Sequence, residues 1–144
     1  MSGGVPLSSD IAETLSQLAL FADLPPAQVE GIAHSYGEQV YGAGQRVLRQ
    51  NLSGSGLFVI LEGEAAVRQG PDELARLGRG EFFGEISALT GEAPNADVVA
   101  IDLLRCLVVP APELEPFLLE HPRVLLRMLR TEVRRLRAAE LARE

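Results

Sequence analysis

Residues 80–100 have the sequence GEFFGEISALTGEAPNADVVA, which is the most specific pattern in the chain. A glycine-glutamate turn at Gly84 and Glu85 precedes a short helix-like segment and a β-branched run. Glycine lets a backbone approach a ligand closely, and N–H groups at the start of a short helix point towards an anion. The Glu85 carboxylate suits a ligand that also offers hydroxyls. The stretch is therefore predicted to bind a sugar phosphate, with a solvated surface turn as the alternative.

Short strand-like runs lie on both sides of this stretch, within residues 38–109. Glycines separate β-branched or aromatic runs, and several short strands at such spacing predict an antiparallel sandwich or barrel. Gly63, inside FVILEGEAAV, is expected to form a tight hairpin that joins two strands, because glycine adopts a positive φ at little cost. The runs are EQVY, QRVLRQ, GLFVILEG, EAAVRQ, ELARLG, ADVVAI and LLRCLVV.

Helices are predicted at both ends of this β-rich region. Residues 1–37 are expected to form an N-terminal helical segment, whose second helix begins at paired prolines because proline is tolerated in the first turn. Residues 111–144 are expected to form a pair of C-terminal helices after the prolines that end the sheet. The whole chain, 1–144, is therefore predicted to be one domain with its β-roll in residues 38–109.

The last predicted helix carries an apolar stripe. Leu126, Leu129, Val133 and Leu136 follow spacings of 3, 4 and 3 residues. Such a stripe packs either against the helix of a partner or on its own domain, and two heptads are too few to choose between these alternatives. The expected interactions are a homodimer through this helix or contact with another protein.

Composition bears on partners and location. The 144 residues have a net charge of −7, and all thirteen basic residues are arginine. An acidic body disfavours direct nucleic-acid binding, which needs clustered cations on the contacting face. A membrane span needs about 18 apolar residues in a row, and such a run is absent from the sequence. A cytoplasmic protein without direct membrane contact is expected.

The sequence offers little for catalysis or metal binding. Its two histidines, His34 and His121, fall in the predicted helical flanks and form no cluster with other metal-ligating residues. The single cysteine, Cys106, lies in an apolar run and is interpreted as a buried hydrophobe. No catalytic residue, metal or cofactor is assigned, and the chain is not expected to be an enzyme.

The order of elements resembles that of the cyclic nucleotide-binding domain family, and most closely a catabolite-activator-like sensor domain without a DNA-binding domain. The resemblance covers nearly the whole chain and implies a β-jelly roll flanked by helices. It also implies a regulatory role in which cyclic AMP or cyclic GMP shifts the terminal helices. Residues 80–100 then form the family's phosphate-binding cassette. The segments that carry the likeness are LFADLPPAQVEGIA, YGAGQRV, GLFVILEGEAAV, GEFFGEISALTGE and NADVVA.

The resemblance also assigns ligand contacts within the cassette. Gly84 and the backbone of Ile86 and Ser87 would meet the cyclic phosphate, and Glu85 would accept a hydrogen bond from the ribose 2′-hydroxyl. Phe83, next to the turn, belongs to the same ligand-binding group. One arm of the expected site is therefore the turn and the start of the short helix.

The other arm of the expected site is formed by Pro94, Asn95 and Ala96, which would face the phosphate from its far side. In the last helix, Arg130 or Val133 would cover the base. These assignments follow from the resemblance alone.

One position departs from the family pattern. The family has an arginine where this chain has Pro94, and loss of a charge-assisted bond to phosphate weakens binding by roughly tenfold to a hundredfold. Arg68, Arg76 and Arg79 lie on nearby strands or turns and are expected to be solvated. The leading hypothesis is a ligand-sensing regulatory module with a degenerate phosphate-binding cassette. The alternative is a ligand-free dimerisation or docking module on the same fold.

Overall fold

The structure is a computed structural model and describes residues 8–51 and 56–143. The helices are α1 (Ser8–Ser16), α2 (Pro26–Ser35), α3 (Glu85–Thr90), α4 (Ala111–Glu120) and α5 (Pro122–Ala142), with a 3₁₀ helix at Ala19–Phe21. The strands are β1 (Glu38–Tyr41), β2 (Arg46–Leu48), β3 (Gly56–Glu62), β4 (Ala65–Gln69), β5 (Asp72–Leu77), β6 (Phe82–Phe83), β7 (Asp97–Ala100) and β8 (Leu104–Pro110).

Within residues 8–51 and 56–143 the strands form two four-stranded sheets, in the orders β1-β8-β3-β6 and β2-β7-β4-β5. Every strand pair is antiparallel. Side chains from both sheets, such as Phe58, Ala65, Val98 and Leu104, share one buried cluster, so the sheets enclose a common interior. The predicted mainly-β jelly roll with helices at both ends is confirmed.

Strand β3 is the most deeply buried strand of the roll, with residues 56–61 all buried. Successive side chains of a strand point to opposite faces. Phe58 and Ile60 enter the interior between the sheets, whereas Leu57 and Val59 enter a second cluster shared with the helices. The continuous apolar run of β3 therefore contributes side chains to two hydrophobic cores.

The helices from both ends of the chain pack into that second cluster. Leu15 of α1, Ile32 of α2, Phe117 of α4 and Val124 of α5 are all at most 2% exposed. The ring of Tyr36, just after α2, meets Phe117 edge-on at a centroid distance of 5.4 Å. The N-terminal and C-terminal helices thus form one layer on the outer face of the roll.

Helix α5 packs on the body mainly through its first two turns, where Val124 and Met128 are buried. The apolar stripe of Leu126, Leu129, Val133 and Leu136 is 45% to 62% exposed. Packing of this stripe on its own domain is therefore wrong, and the homodimer stays a prediction. The described part of the chain contains no helix with the length and apolar character that a membrane crossing requires.

The predicted hairpin at Gly63 is also wrong. Strand β3 pairs with β6 and β8, while β4 pairs with β5 and β7, so the chain crosses at Gly63 from one sheet to the other. Gly63 has a φ of 93°, and a Cβ there would lie 2.2 Å from the carbonyl oxygen of Leu103. Glycine is required at this crossing by close packing as well as by conformation.

Replacement of Gly63 by alanine is expected to destabilise the protein strongly. An L-residue at positive φ costs about 1–3 kcal/mol, and the contact with the Leu103 carbonyl adds to that cost. The free energy of unfolding, measured by urea denaturation, should fall by at least that amount.

Two other glycines distinguish the cost of a positive φ from the cost of close packing. Gly70 has a positive φ but open space around its Cβ position, and Gly42 has open space without a positive φ. Gly70→Ala should lose less stability than Gly63→Ala, and Gly42→Ala should lose least. Equal losses at Gly42 and Gly63 would contradict the close packing of the crossing.

Candidate functional site

The turn at Gly84 is pressed against strand β3. Gly84 has a φ of 85° and precedes α3. A Cβ on it would lie 2.3 Å from the carbonyl oxygen of Gly56 and 3.0 Å from a ring carbon of Phe58. The first intrahelical bond of α3 runs from the N–H of Ala88 to the carbonyl of Gly84 at 3.1 Å. The turn therefore accepts only glycine and directs the first N–H groups of α3 along the helix axis.

Glu85, the first residue of α3, is 3% exposed, and its carboxyl contacts helix α5. Nη1 of Arg135 lies 3.3 Å from Oε2 of Glu85 and 3.2 Å from Oε1 of Glu132. Nη2 of Arg135 donates a hydrogen bond of 2.7 Å to the carbonyl oxygen of Phe82. The guanidinium also lies 4.5 Å from the centroid of the Phe82 ring. One arginine of α5 thus joins the terminal helix to β6 and to the turn.

The environment of Glu85 favours its protonated form. Burial, and after it the nearby carboxyl of Glu132, raise the pKa of Glu85 to about 8, although Arg135 acts in the opposite direction. A protonated carboxyl donates one hydrogen bond and still accepts others. At neutral pH Glu85 is therefore able to exchange hydrogen bonds with a hydroxyl in either direction.

The second expected arm, residues 94–96, is anchored through its backbone. The carbonyl oxygen of Pro94 accepts a hydrogen bond of 2.9 Å from the N–H of Asn51. The carbonyl oxygen of Asn95 accepts one of 2.9 Å from Nε2 of Gln69, and Ala96 is buried. Because the turn at Gly84 touches β3 while Pro94 bonds to Asn51, both arms contact the chain near the β2-to-β3 connection.

The remaining residues expected at the site have different surroundings. Phe83 is buried and stacks on Phe58 with ring centroids 4.9 Å apart, so it supports the turn from the interior. Ser87 donates a hydrogen bond of 2.6 Å to the carbonyl oxygen of Glu92, which ties α3 to the loop after it. Ile86 is 59% exposed.

Comparison with known proteins shows the family of this chain. A sequence model of the family described as "Cyclic nucleotide-binding domain" matches residues 38–121, which is more than half of the chain. The chain belongs to the cyclic nucleotide-binding domain family. The matched region runs from β1 to the end of α4 and includes the whole cassette.

Individual relatives agree with this assignment. The chain is 38% identical over 90 residues to a cAMP-dependent protein kinase regulatory subunit of Mycosarcoma maydis, a match that covers 60% of this chain and 17% of that protein. It resembles the structure of the Thermus thermophilus catabolite activator protein, with 27% identity, a TM-score of 0.76, and coverage of 85% of this chain and 60% of the other.

A third relative is the N-terminal domain of a transcriptional regulator from Streptomyces coelicolor A3(2), with 28% identity and a TM-score of 0.66. That match covers 90% of this chain and 93% of the other. By contrast, the chain spans less than a fifth of the length of the curated relatives it matches. These likenesses support a regulatory domain of the cyclic nucleotide-binding family.

The three arginines near the cassette are exposed, as predicted. Arg76 bonds to Glu73 of its own strand at 2.9 Å, and Arg79 donates a hydrogen bond to Gln17. Arg68 is exposed and stands opposite Asp97 in the β4-β7 pair.

The sequence did not single out the α5 residues that reach the cassette. Arg130 lines a separate cleft beside the 3₁₀ helix, Val133 is 48% exposed, and their role at the base stays a prediction. The contacts with Glu85 come instead from Arg135 and Glu132. The segment RTEVRRLR, residues 130–137, contains four arginines, and nothing in the sequence pattern shows which of them points towards the body of the domain.

Metal and thiol chemistry find no support in residues 8–51 and 56–143, where no group of three or more His, Cys, Asp or Glu is placed to hold a metal ion. His121 is buried, with Nδ1 3.2 Å from Oε1 of Gln28. Burial, with a smaller contribution from the nearby Glu38, raises the pKa of the Cys106 thiol to about 12. Cys106 is therefore an unreactive core residue.

The raised pKa of Glu85 predicts a specific pH dependence of stability. The folded protein holds this proton more tightly than the unfolded chain does, because the pKa rises from 4.5 to about 8. The resulting stabilisation is fully present below the lower value and is lost as the pH rises through the upper one. The parent should therefore lose more stability than Glu85→Gln between about pH 5 and pH 8, measured by urea denaturation.

Two further variants control this measurement. Glu132→Gln removes the neighbouring carboxylate and should reduce the loss of stability with rising pH, while Glu140→Gln, at an exposed position of α5, should follow the parent. Identical pH profiles for Glu85→Gln and Glu140→Gln would refute the assignment to Glu85.

Proposed function

We propose that the chain is a ligand-sensing regulatory module whose cassette keeps its ribose side and lacks part of its phosphate side. The observation that supports this function best is the contact between Glu85 and Arg135, at 3.3 Å. The carboxyl that would receive the ribose 2′-hydroxyl is the same one that contacts α5. A ligand at Glu85 therefore changes a bond that holds the terminal helix.

The switch follows from competition for Glu85. A ribose hydroxyl that bonds to the carboxyl displaces or reorients the guanidinium of Arg135, which keeps Glu132 and the carbonyl of Phe82 as partners. A ligand shifts a conformational equilibrium only by its differential affinity for the two states. Here the two states differ in whether α5 is bound to the turn through Arg135.

The phosphate side is weaker than the family pattern. Pro94 has neither a charged side chain nor a backbone N–H donor, so the phosphate would depend on the first N–H groups of α3. The ligand class we propose is cyclic AMP or cyclic GMP, bound weakly. The residues proposed to contact it are Phe83, Gly84, Glu85, Ile86, Ser87, Pro94, Asn95 and Ala96, with Arg130 or Val133 near the base.

We also propose that residues 1–144 act as one domain, without enzymatic activity. Its signal would pass to a protein partner rather than to nucleic acid or a membrane, in the cytoplasm. The net charge of −7 supports this choice of partner.

Restoring the family arginine tests the cassette. Pro94→Arg is expected to bind cyclic AMP or cyclic GMP about tenfold to a hundredfold more tightly than the parent, because it adds a charge-assisted bond to the phosphate. Isothermal titration calorimetry with both nucleotides measures the difference.

Two variants make this test specific. Ala93→Arg adds the same charge one position away, at an exposed residue, and should give a much smaller gain. Adding Glu85→Ala to Pro94→Arg should remove most of the gain by deleting the ribose contact. If neither the parent nor Pro94→Arg gives heat at millimolar nucleotide, the sensing function is wrong. Tight binding by the parent itself would refute the degenerate phosphate side.

A second function, dimerisation or docking without a ligand, is supported by the exposed stripe on α5. Leu129 and Val133 are 56% and 48% exposed at the centre of the stripe. A β-branched residue at one apolar heptad position and leucine at the next, as in Val133 and Leu136, favour paired parallel helices.

Disruption of the stripe tests this second function. The parent should elute as a dimer of its 15.5 kDa chain in size-exclusion chromatography with light scattering. Leu129→Asp combined with Val133→Asp should give a monomer, because two charges would be buried at the helix contact.

The matched control replaces exposed leucines elsewhere. Leu74 in β5 and Leu119 in α4 are 56% and 70% exposed, and their replacement by aspartate should leave the dimer intact. A monomeric parent, or a dimer that survives the Leu129 and Val133 changes, would exclude dimerisation through α5.

A further inference from the structure

A second concave site lies between α5 and the 3₁₀ helix at Ala19–Phe21. This cleft has a volume of about 230 Å³, and its apolar lining includes Leu20 and Phe82. Its polar lining includes three arginines of α5, at positions 127, 130 and 134, and the hydroxyl of Thr131. The spacing of 3 and 4 residues places these arginines on one face of the helix.

The arginines outnumber the acids that face them. Arg127 is held by Asp23 through bonds of 2.7 and 3.0 Å. The pKa of the Asp23 carboxyl is lowered first by its hydrogen bond with Arg127, and also by the charges of Arg123 and Arg130. Among the residues that the structure describes, neither Arg130 nor Arg134 has a carboxylate within 4.0 Å. The cleft therefore concentrates unneutralised positive charge on a protein whose net charge is −7.

We propose that this cleft binds a small phosphate-type anion such as inorganic phosphate or pyrophosphate. The planar guanidinium group donates paired hydrogen bonds to phosphate oxygens, and Thr131 adds a hydroxyl donor. The cleft is smaller than the roughly 300–1,000 Å³ of pockets that bury larger organic ligands. Its size favours a compact anion over a nucleotide, and the site does not depend on nucleotide binding at Glu85.

An anion in the cleft would hold α5 on the body. Phe82 lines the cleft, and its ring also lies 4.5 Å from the guanidinium of Arg135. Gly80 and the 3₁₀ helix form the opposite wall of the cleft, so the complete site exists only when α5 is docked. A ligand that binds only this docked arrangement stabilises it by mass action.

Thermal unfolding of the full chain with phosphate or pyrophosphate tests the site. The parent should show a saturable rise in Tm that sodium chloride at equal ionic strength does not reproduce. Arg130→Gln combined with Arg134→Gln should weaken the apparent affinity by about tenfold or more. Both arginines are exposed, so this variant should fold normally by circular dichroism.

The matched control removes the same charge outside the cleft, with Arg137→Gln and Arg143→Gln, and should keep the affinity of the parent. If both double variants weakened the affinity equally, or if sodium chloride raised the Tm as much as phosphate does, the effect would be due to general charge. Either result would overturn the proposal. Tighter binding to an oligonucleotide than to pyrophosphate would also overturn it, because an extended polyanion would then use the whole arginine face of α5.

Discussion

The burial of β3 on both faces is the constraint on which the rest of the fold depends. Its alternate side chains fill two different cores, so a shift of one residue in its pairing with β8 would exchange the two sets. The same strand provides the surface against which the functional turn is pressed, through Gly56 and Phe58. The position of Glu85 is therefore determined by the packing of the roll, and the close fit leaves the turn little freedom to move.

Around Glu85, two effects act against each other. Ionisation of the carboxyl would strengthen its attraction to Arg135, but burial and the neighbouring Glu132 both disfavour that ionisation. Arg135 itself is secured by the carbonyl and the ring of Phe82. At this point of α5 the guanidinium is held mainly by β6, since its bond to the Phe82 carbonyl is 2.7 Å long and its bond to Glu85 is 3.3 Å long. In the proposed function, a ligand hydroxyl would replace only the bond between Arg135 and Glu85.

The fold could be predicted from the sequence because its local signals agree with one another. Runs such as GLFVILEG and LLRCLVV are β-branched or apolar and end at glycine or proline. Local signals do not state which strands pair, and this explains the error at Gly63, since β3 pairs with β8 some forty residues further along the chain. Strand β6 has only two residues, Phe82 and Phe83, and was too short to recognise.

The sequence indicated the turn of the candidate site but not the α5 residues that contact this turn. Gly84 and Glu85 belong to a recognisable pattern, and the structure gives a steric reason for the glycine. Arg135 could not be chosen among its neighbours, because the facing direction of a helix residue depends on how the helix docks. The exposure of Leu129 and Val133 could not be predicted for the same reason. Apolar periodicity does not reveal whether the stripe packs on the body of its own domain or on a partner.

The length of α5 determines how far a tilt of the helix would move Arg135. The helix begins at Pro122, and the 13 residues from there to Arg135 span about 20 Å at about 1.5 Å per residue. A tilt of about 10° at its buried first turns would carry the guanidinium through about 3 Å, which is comparable to its distance from Glu85. In the proposed function, α5 would act as a lever, and a displacement of Arg135 would become a larger displacement at Ala142, where the helix ends.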